Sequence, residues 1–183
     1  MLKKRLCKVQ NPMSDWDTVF ECPICKADNC VPARGNKNSP VLIIGEFPGK
    51  EETKVGKPLV GPTGRLLASE LLKCGGIDIK TFRLCNLWLH EPNGNKECFQ
   101  YGINKVLEDC KNKKVILLLG SETVKFFCDV NVSDVSGLEV VSQYLSAPLV
   151  MASVNPAIAF KAGGIGEVRL SLQKFARRLE EIC

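Results

Sequence analysis

The chain has 183 residues, a formal net charge of +5 and a hydrophobic content of 45%, values typical of one globular domain with a single core. It contains no apolar run near the roughly 20 residues of a membrane-spanning helix. No apolar stretch follows the basic N-terminus as it would in a secretion signal. We therefore expect a monomeric cytoplasmic or nucleoplasmic protein that is not secreted and has no membrane association. The positive charge permits an anionic partner such as DNA.

Four short apolar runs predict buried strands, and segments with helical periodicity follow them. This alternation predicts an α/β fold, a three-layer α/β/α sandwich around a four-stranded parallel sheet. We expect one domain over residues 1–183. Residues 1–40 lack helical or strand periodicity, so we expect them to form a loop-rich segment at the start of this domain, and we expect that segment to bind a metal. The predicted strands span residues 41–45, 82–89, 114–119 and 149–154, and the predicted helices span residues 63–73, 97–112, 122–128 and 166–181.

Glycines and prolines crowd the segment directly after the first predicted strand, from Gly45 to Gly64. Glycine permits positive φ and lets a ligand approach the backbone. Ligands of open α/β sheets bind where strands end and helices begin, so Glu46 and Glu52 lie where chemistry is expected. A nucleotide-binding loop is the alternative interpretation, but the sequence contains neither GxGxxG nor GxxxxGK[ST].

The same segment resembles motif one of the family 4 uracil-DNA glycosylases, roughly GE-small-PG-x-x-E…G-x-PFVG-x-AG-x-LL. Here it stands as GEFPG at 45–49, Glu52, GKPLVG at 56–61 and GRLL at 64–67. Asn86 follows in register, and NPAIAFK at 155–161 stands where the family has HP-[SA]-x-x-[LF]-R. The resemblance implies a uracil-DNA glycosylase fold and hydrolysis of the N-glycosidic bond of uracil or a modified pyrimidine in DNA.

The resemblance assigns three catalytic positions. Glu46 is expected to orient a water and to stabilise the cationic sugar. Glu52 matches a second acidic position, with a solvated loop charge as the alternative. Asn155 replaces the family histidine that hydrogen-bonds the base, and losing one such donor costs about two to three decades in rate.

Base binding is assigned in the same way. Asn86 is expected to read the base edge, because an amide both donates and accepts, and capping of a strand end is its alternative role. Leu59 replaces the aromatic residue that stacks on the base, a loss of about 1–3 kcal/mol. Phe47 is expected to compensate in part, and Gly45 completes the predicted base-binding set.

The segment after the fourth strand matches the family's intercalation loop. Ile158 or Phe160 is expected to wedge into the base stack, with Lys161 on a phosphate. Packing beneath the last helix is the alternative for the two apolar residues. Gly61 and Arg65 of the glycine-rich segment complete the predicted DNA contacts.

Ten cysteines are many for a chain without a secretion signal, and metal ligation or buried thiols explain them better than disulfides. The resemblance implies a [4Fe-4S] cluster, which the family holds on four cysteines. Cys22 and Cys25 match its CxxC pair, and Cys98 matches its fourth cysteine. His90 stands at the third position, where imidazole can replace thiolate on an iron.

Zinc is the alternative metal, because three cysteines and one histidine are a common tetrahedral zinc set. Cys30 or Cys7 is a further candidate ligand. Without a metal, Cys22 and Cys25 would be surface thiols and His90 an ordinary turn residue.

Two other functions stay open beside the glycosylase. Leu59 and Asn155 favour a DNA-binding or accessory protein with an altered pocket. An enzyme of modified-base biosynthesis on the same fold also fits Glu46 and a reshaped pocket. Retention of Glu46, Asn86 and the glycine-rich segment favours the glycosylase.

Overall fold

The computed structural model describes residue 18 and residues 20–27 and 29–182. Among these residues, five strands form one mixed sheet. The strands are β1 (Arg34–Gly35), β2 (Val41–Gly45), β3 (Arg83–Asn86), β4 (Val115–Leu119) and β5 (Leu149–Ser153). Their order across the sheet is β1-β3-β2-β4-β5, with β2 to β5 parallel.

The prediction of a four-stranded, purely parallel sheet is wrong by one strand. β1 pairs antiparallel with β3, placing Arg34 opposite Leu84 and Gly35 opposite Arg83. Two residues carry too little alternation to be recognised as a strand in the sequence. The four longer strands lie where the apolar runs predict them.

Helices connect the parallel strands. They are α1 (Lys50–Val55), α2 (Pro62–Gly75), α3 (Lys96–Cys110), α4 (Ser121–Cys128), α5 (Val132–Val135) and α6 (Gly164–Ile182), with 3-10 turns at Ile79–Thr81 and Pro156–Phe160. The sequence predicted α2, α3, α4 and α6. It did not predict the six-residue α1 or the four-residue α5.

The central strands are covered on both faces, since successive side chains of a strand point to opposite sides. Leu42 and Ile44 pack into one apolar cluster with α3 and α4, whereas Val41 and Ile43 pack into another with α2 and α6. The α/β/α layering is therefore confirmed. In the described part of the chain, no helix combines the length and apolar character required to cross a lipid bilayer.

A buried ion pair ties α3 to the sheet. Nε of Arg83 in β3 donates to Oδ2 of Asp109 at 3.1 Å, and the two side chains are 0% and 2% exposed. The same guanidinium donates to the Gly35 carbonyl at 3.2 Å, which adds β1 to the contact. Removing one charge of such a pair leaves the other buried and uncompensated.

We predict that Asp109→Ala lowers the free energy of unfolding by about 3–5 kcal/mol, because it removes one partner of a buried ion pair. Glu51→Ala is the matched control, since it removes the carboxylate of an exposed pair with Arg65. Urea denaturation of both variants measures the difference. Equal losses in the two variants would contradict the role given to the buried pair.

Candidate active site and metal centre

A cleft of about 390 Å³ lies at the carboxyl-terminal edge of the sheet, where open α/β sheets bind their ligands. Glu46 follows β2, Asn86 ends β3, Leu119 ends β4 and Asn155 follows β5. The parallel strands thus bring residues that are far apart in sequence to one edge. The lining includes every predicted catalytic and base-binding residue, namely Gly45, Glu46, Phe47, Glu52, Leu59, Asn86 and Asn155.

The Glu46 carboxylate is held from two sides. Its Oε1 accepts hydrogen bonds from the backbone N–H of Glu122 at 2.9 Å and from the Ser121 hydroxyl at 3.2 Å. Its Oε2 accepts a hydrogen bond from Nδ2 of Asn155 at 2.6 Å. Because Ser121 and Glu122 open α4, the carboxylate also faces the positive end of a helix dipole. These contacts hold Glu46 in one orientation beside the cleft.

Gly120 makes this arrangement possible. Its φ is +93°, and a Cβ placed on it would lie 2.3 Å from Cδ of Glu46. Any side chain at this position would therefore collide with the carboxylate and strain the backbone. A glycine directly after a buried strand and before a helix is the signal that could have identified this residue from the sequence.

Asn86 is buried, with 2% of its surface exposed. Its Nδ2 has no hydrogen-bond partner among the described residues. A Cβ on Gly45 would lie 2.5 Å from Oδ1 of Asn86, so the side chain needs glycine beside it. A buried donor without a partner costs about 1–3 kcal/mol, and at the wall of a cleft such a donor is available to a ligand.

Both polar atoms of the Asn155 amide form hydrogen bonds. Nδ2 donates to Glu46, and Oδ1 accepts from the backbone N–H of Ala157 at 2.9 Å, which caps the 3-10 turn that follows β5. The structure therefore gives this residue contacts that orient Glu46.

Glu52 is buried, which makes the alternative of a solvated loop charge wrong. Its Oε1 accepts from the backbone N–H of Gly61 at 2.7 Å. Arg34 lies close by and donates from Nε to the Pro58 carbonyl at 2.7 Å and from Nη2 to the Leu59 carbonyl at 3.1 Å. Burial lowers the pKa of the Arg34 guanidinium, and the nearby Glu52 carboxylate opposes this shift. These two charged residues brace the glycine-rich segment.

The brace shapes one wall of the cleft. Leu59 has a φ of +55°, which an L-residue rarely adopts. A Cβ on Gly64 would lie 2.1 Å from the Leu59 carbonyl oxygen, so the chain passes over itself closely here. Sequence reasoning missed Arg34, because it lies in a polar segment without periodicity.

A second group of side chains converges away from the cleft. The ligand atoms of Cys22, Cys25, His90 and Cys98 all lie within 4.8 Å of one another. Sγ of Cys22 is 3.8 Å from Sγ of Cys98, and Sγ of Cys25 is 3.5 Å from Nε2 of His90. This convergence favours a metal centre over isolated thiols and a turn histidine.

Local hydrogen bonds place the ligands of this centre. The Cys22 carbonyl accepts from the N–H of Lys26 at 3.0 Å, closing a turn around the CxxC pair. Asn95 caps α3 by accepting from the N–H of Cys98 at 3.3 Å. Nδ1 of His90 lies 2.8 Å from the Glu91 carbonyl, so this nitrogen donates and Nε2 faces the thiols.

The thiols of the centre differ in acidity. Burial opposes ionisation of Cys22, but hydrogen bonds from the backbone of Cys25 and Ile24 and from His90 lower its pKa to about 6. Burial raises the pKa of Cys98 to about 11. Burial also raises the pKa of Cys30 to about 12.

The other candidate ligands do not join the four. Cys30 is buried nearby but is not a member of the converging group. Cys7 lies outside the described residues, as does Cys183.

Comparison with known proteins agrees with this geometry. The model of the uracil DNA glycosylase superfamily matches residues 32–179. The chain belongs to this superfamily. It is 30% identical to the type-4 uracil-DNA glycosylase of Thermotoga maritima over 156 residues, which are 77% of this chain and 79% of that protein. The resemblance to family 4 is thereby confirmed.

Two further type-4 uracil-DNA glycosylases match shorter parts. The protein of Sulfurisphaera tokodaii is 27% identical over 122 residues, 60% of this chain and 54% of its own length. That of Saccharolobus solfataricus is 34% identical over 85 residues, 44% of this chain and 39% of its own length.

The residues predicted to contact DNA differ from one another in solvent exposure and packing. Phe160 is 63% exposed and Lys161 is exposed, whereas Ile158 packs partly against the α2/α6 layer. Gly61 is buried against Glu52. The side chain of Arg65 is exposed and donates to Glu51 at 2.7 Å.

We predict that Gly120→Ala destabilises this glycosylase-superfamily chain more than Gly94→Ala does. Both glycines have positive φ, but a Cβ on Gly94 meets nothing within 4 Å. The Gly94→Ala control is therefore destabilised only by backbone strain, which is about 1–2 kcal/mol. Gly120→Ala adds the collision with Glu46. The free energies of unfolding from urea titrations test this, and equal values would show that Glu46 is not tightly held.

Proposed function

We propose that this protein is a monofunctional DNA glycosylase that hydrolyses the N-glycosidic bond of uracil or a modified pyrimidine in DNA. The observation that carries the proposal is one cleft holding both an oriented carboxylate, Glu46, and a buried amide with an unpartnered donor, Asn86. Membership of the superfamily and similarity to type-4 uracil-DNA glycosylases support the same activity.

Asn86 is proposed to read the base. A base can reach the cleft only after extrusion from the stack. Uracil presents a carbonyl acceptor beside an N–H donor, and the amide of Asn86 supplies the matching donor and acceptor. Binding would satisfy the buried Nδ2, which has no partner among the described side chains and backbone groups.

Glu46 is proposed to support cleavage of the glycosidic bond. As that bond breaks, the sugar becomes cationic and the base anionic. A carboxylate beside the sugar can stabilise the cation and orient the attacking water. Asn155 and the first turn of α4 keep the carboxylate in place before the substrate arrives. The resemblance implies no lysine nucleophile, so no lyase step is expected.

The altered positions are proposed to lower the rate. Leu59 lines the cleft where the family places an aromatic residue, but Phe47 lines it too and is 44% exposed. Phe47 thus offers an aromatic face for the base. Asn155 is a neutral amide committed to Glu46, and it cannot supply the charge of a protonated histidine.

The same positions favour a second candidate function, a DNA-binding or accessory protein on this fold. The commitment of Asn155 to Glu46 removes a donor that the family directs to the base. An enzyme of modified-base biosynthesis is a third candidate, since it too would need a reshaped pocket. The exposed Phe160 and Lys161 suit DNA contact in either case.

The metal centre is proposed to be structural, because none of its four residues lines the cleft. It joins the segment before β1 to the connection between β3 and α3. The family resemblance implies a [4Fe-4S] cluster here, and zinc is the alternative that the same donor set allows.

We further propose a monomer that acts on DNA in the cytoplasm or nucleoplasm, with residues 1–183 as one domain. For the compartment, support comes from the eight cysteines of the described residues, none of which is in a disulfide, as expected under reducing conditions.

The direct test is incubation of the protein with uracil-containing single- and double-stranded DNA, followed by alkali. Strand breaks at the uracil positions are the expected result, since abasic sites are alkali-labile. Intact DNA combined with retained DNA binding would overturn the glycosylase and favour the second candidate. Oligonucleotides with modified pyrimidines extend the same assay.

We predict that Glu46→Gln lowers the single-turnover excision rate by about two to four decades, the usual contribution of a positioned acid–base group. Glu122→Gln is the matched control, because Glu122 contributes its backbone N–H to the site. DNA affinity of both variants, measured by fluorescence anisotropy, stays at the wild-type value. An unchanged excision rate in the Glu46→Gln variant would show that Glu46 takes no part in the reaction.

We predict that Asn86→Ala lowers the excision rate by about two to three decades, the size of effect seen when one preorganised donor is lost. We expect the Asn86→Ala variant to be at least as thermally stable as Asn104→Ala, an exposed control. The reason is that the Nδ2 donor removed from Asn86 has no hydrogen-bond partner in the described structure. Loss of stability without loss of rate would make Asn86 a strand-end residue and not a base reader.

A further inference from the structure

Two of the separations between the metal ligands match those expected around a single ion. Bonds of about 2.3 Å to sulfur and about 2.0–2.1 Å to nitrogen, in a tetrahedron, place two sulfurs about 3.8 Å apart and a sulfur and a nitrogen about 3.5 Å apart. The observed separations are 3.8 Å between Cys22 and Cys98 and 3.5 Å between Cys25 and His90. These two separations agree with zinc geometry, and the remaining ones are no longer than 4.8 Å.

A four-iron cluster requires a wider site. Each protein ligand of such a cluster binds a different iron, so the ligand atoms lie on the outside of a cube of iron and sulfur. They must therefore be farther apart than ligands that share one ion. Here all four ligand atoms lie within 4.8 Å of one another, and the space between them suits one ion.

The chemistry of the donors agrees with the spacing. Three thiolates and one imidazole form a common closed set for structural zinc. Nδ1 of His90 donates to the Glu91 carbonyl, which leaves the lone pair of Nε2 directed at the centre. This outer hydrogen bond is the usual device that orients a zinc-bound histidine.

The ligands also come from elements that the ion would hold together. Cys22 and Cys25 precede β1, His90 lies between β3 and α3, and Cys98 lies in the first turn of α3. Cys22, His90 and Cys98 are buried and Cys25 is half-buried. Four protein ligands complete a tetrahedron, as in structural and not catalytic zinc sites.

We propose that Cys22, Cys25, His90 and Cys98 bind one tetrahedral Zn²⁺ in place of the [4Fe-4S] cluster that the family resemblance implies. The identity of the bound metal can be measured from metal content and spectra, whether or not the protein excises a base.

The first experiment compares the two metals on the same full-length chain. Protein stripped of metal under anaerobic, reducing conditions receives either Zn²⁺ or Fe²⁺ with sulfide, and then both together. We expect one zinc per chain, a colourless product and zinc retention in the mixture. A brown protein that holds four irons and four sulfides in the mixture would overturn the proposal, and so would a chain that binds neither metal.

Co²⁺ reports the ligand geometry. One equivalent added to the stripped protein should give the intense visible absorption of tetrahedral Co²⁺ bound to thiolates, and one equivalent of Zn²⁺ should abolish it. The His90→Cys variant should keep stoichiometric binding and shift the band to lower energy, because a fourth thiolate replaces the imidazole. An octahedral spectrum, or a band that His90→Cys leaves unchanged, would overturn the ligand set.

Single cysteine substitutions distinguish the metal ligands from the other cysteines. We expect Cys98→Ser to weaken Zn²⁺ binding by at least about 100-fold, beyond the 10–100-fold typical of outer-shell changes. Cys74→Ser is the control, because Cys74 belongs to α2 and lies outside the converging group. Competition with a chromogenic chelator measures both, and equal affinities would overturn the assignment.

Discussion

The carboxylate of Glu46 accepts hydrogen bonds from segments that follow two other strands of the sheet. One set of donors opens α4 after β4, and the other is the Asn155 amide after β5. The rest of the cleft depends on this junction, because it links the segments that follow three neighbouring strands at one edge of the sheet. Gly120 allows the close approach, since a side chain there would occupy the place of the carboxylate.

A second carboxylate supports the opposite wall. Glu52 is buried and binds the N–H of Gly61, while Arg34 binds the carbonyls of Pro58 and Leu59. The glycine-rich segment is therefore braced by charged side chains in addition to the packing of Leu59 against the α2/α6 cluster. This explains why the chain can keep Leu59 at a positive φ beside the cleft. Glu46 and Glu52 thus differ in their contacts: Glu46 is bonded to the segments after β4 and β5, and Glu52 is bonded within the glycine-rich segment.

Much of this could be predicted from the sequence. The four parallel strands are uninterrupted apolar runs, because both faces of a central strand are buried. The motif around Glu46 and the position of Asn86 marked the cleft, since parallel strands end at one edge. The converging residues Cys22, Cys25, His90 and Cys98 were also predicted, from their agreement with the ligand positions of the family.

The rest depends on contacts that local pattern does not encode. The edge strand β1 has two residues and no periodicity of its own. The bonds of Asn155 to Glu46 and of Arg34 to the glycine-rich segment join positions that meet only in the folded chain. The same holds for the separation of the metal ligands, which sequence spacing cannot define and which decides between one ion and a cluster.

We propose that the cleft between Glu46 and Asn86 receives a pyrimidine base. A crystal structure of the protein with free uracil, the product of the proposed reaction, would test this. We expect uracil in the cleft, with Nδ2 of Asn86 donating to a ring carbonyl and Glu46 on the side where the sugar would lie. Uracil bound elsewhere, or bound with Nδ2 of Asn86 still unpartnered, would show that this cleft does not read the base.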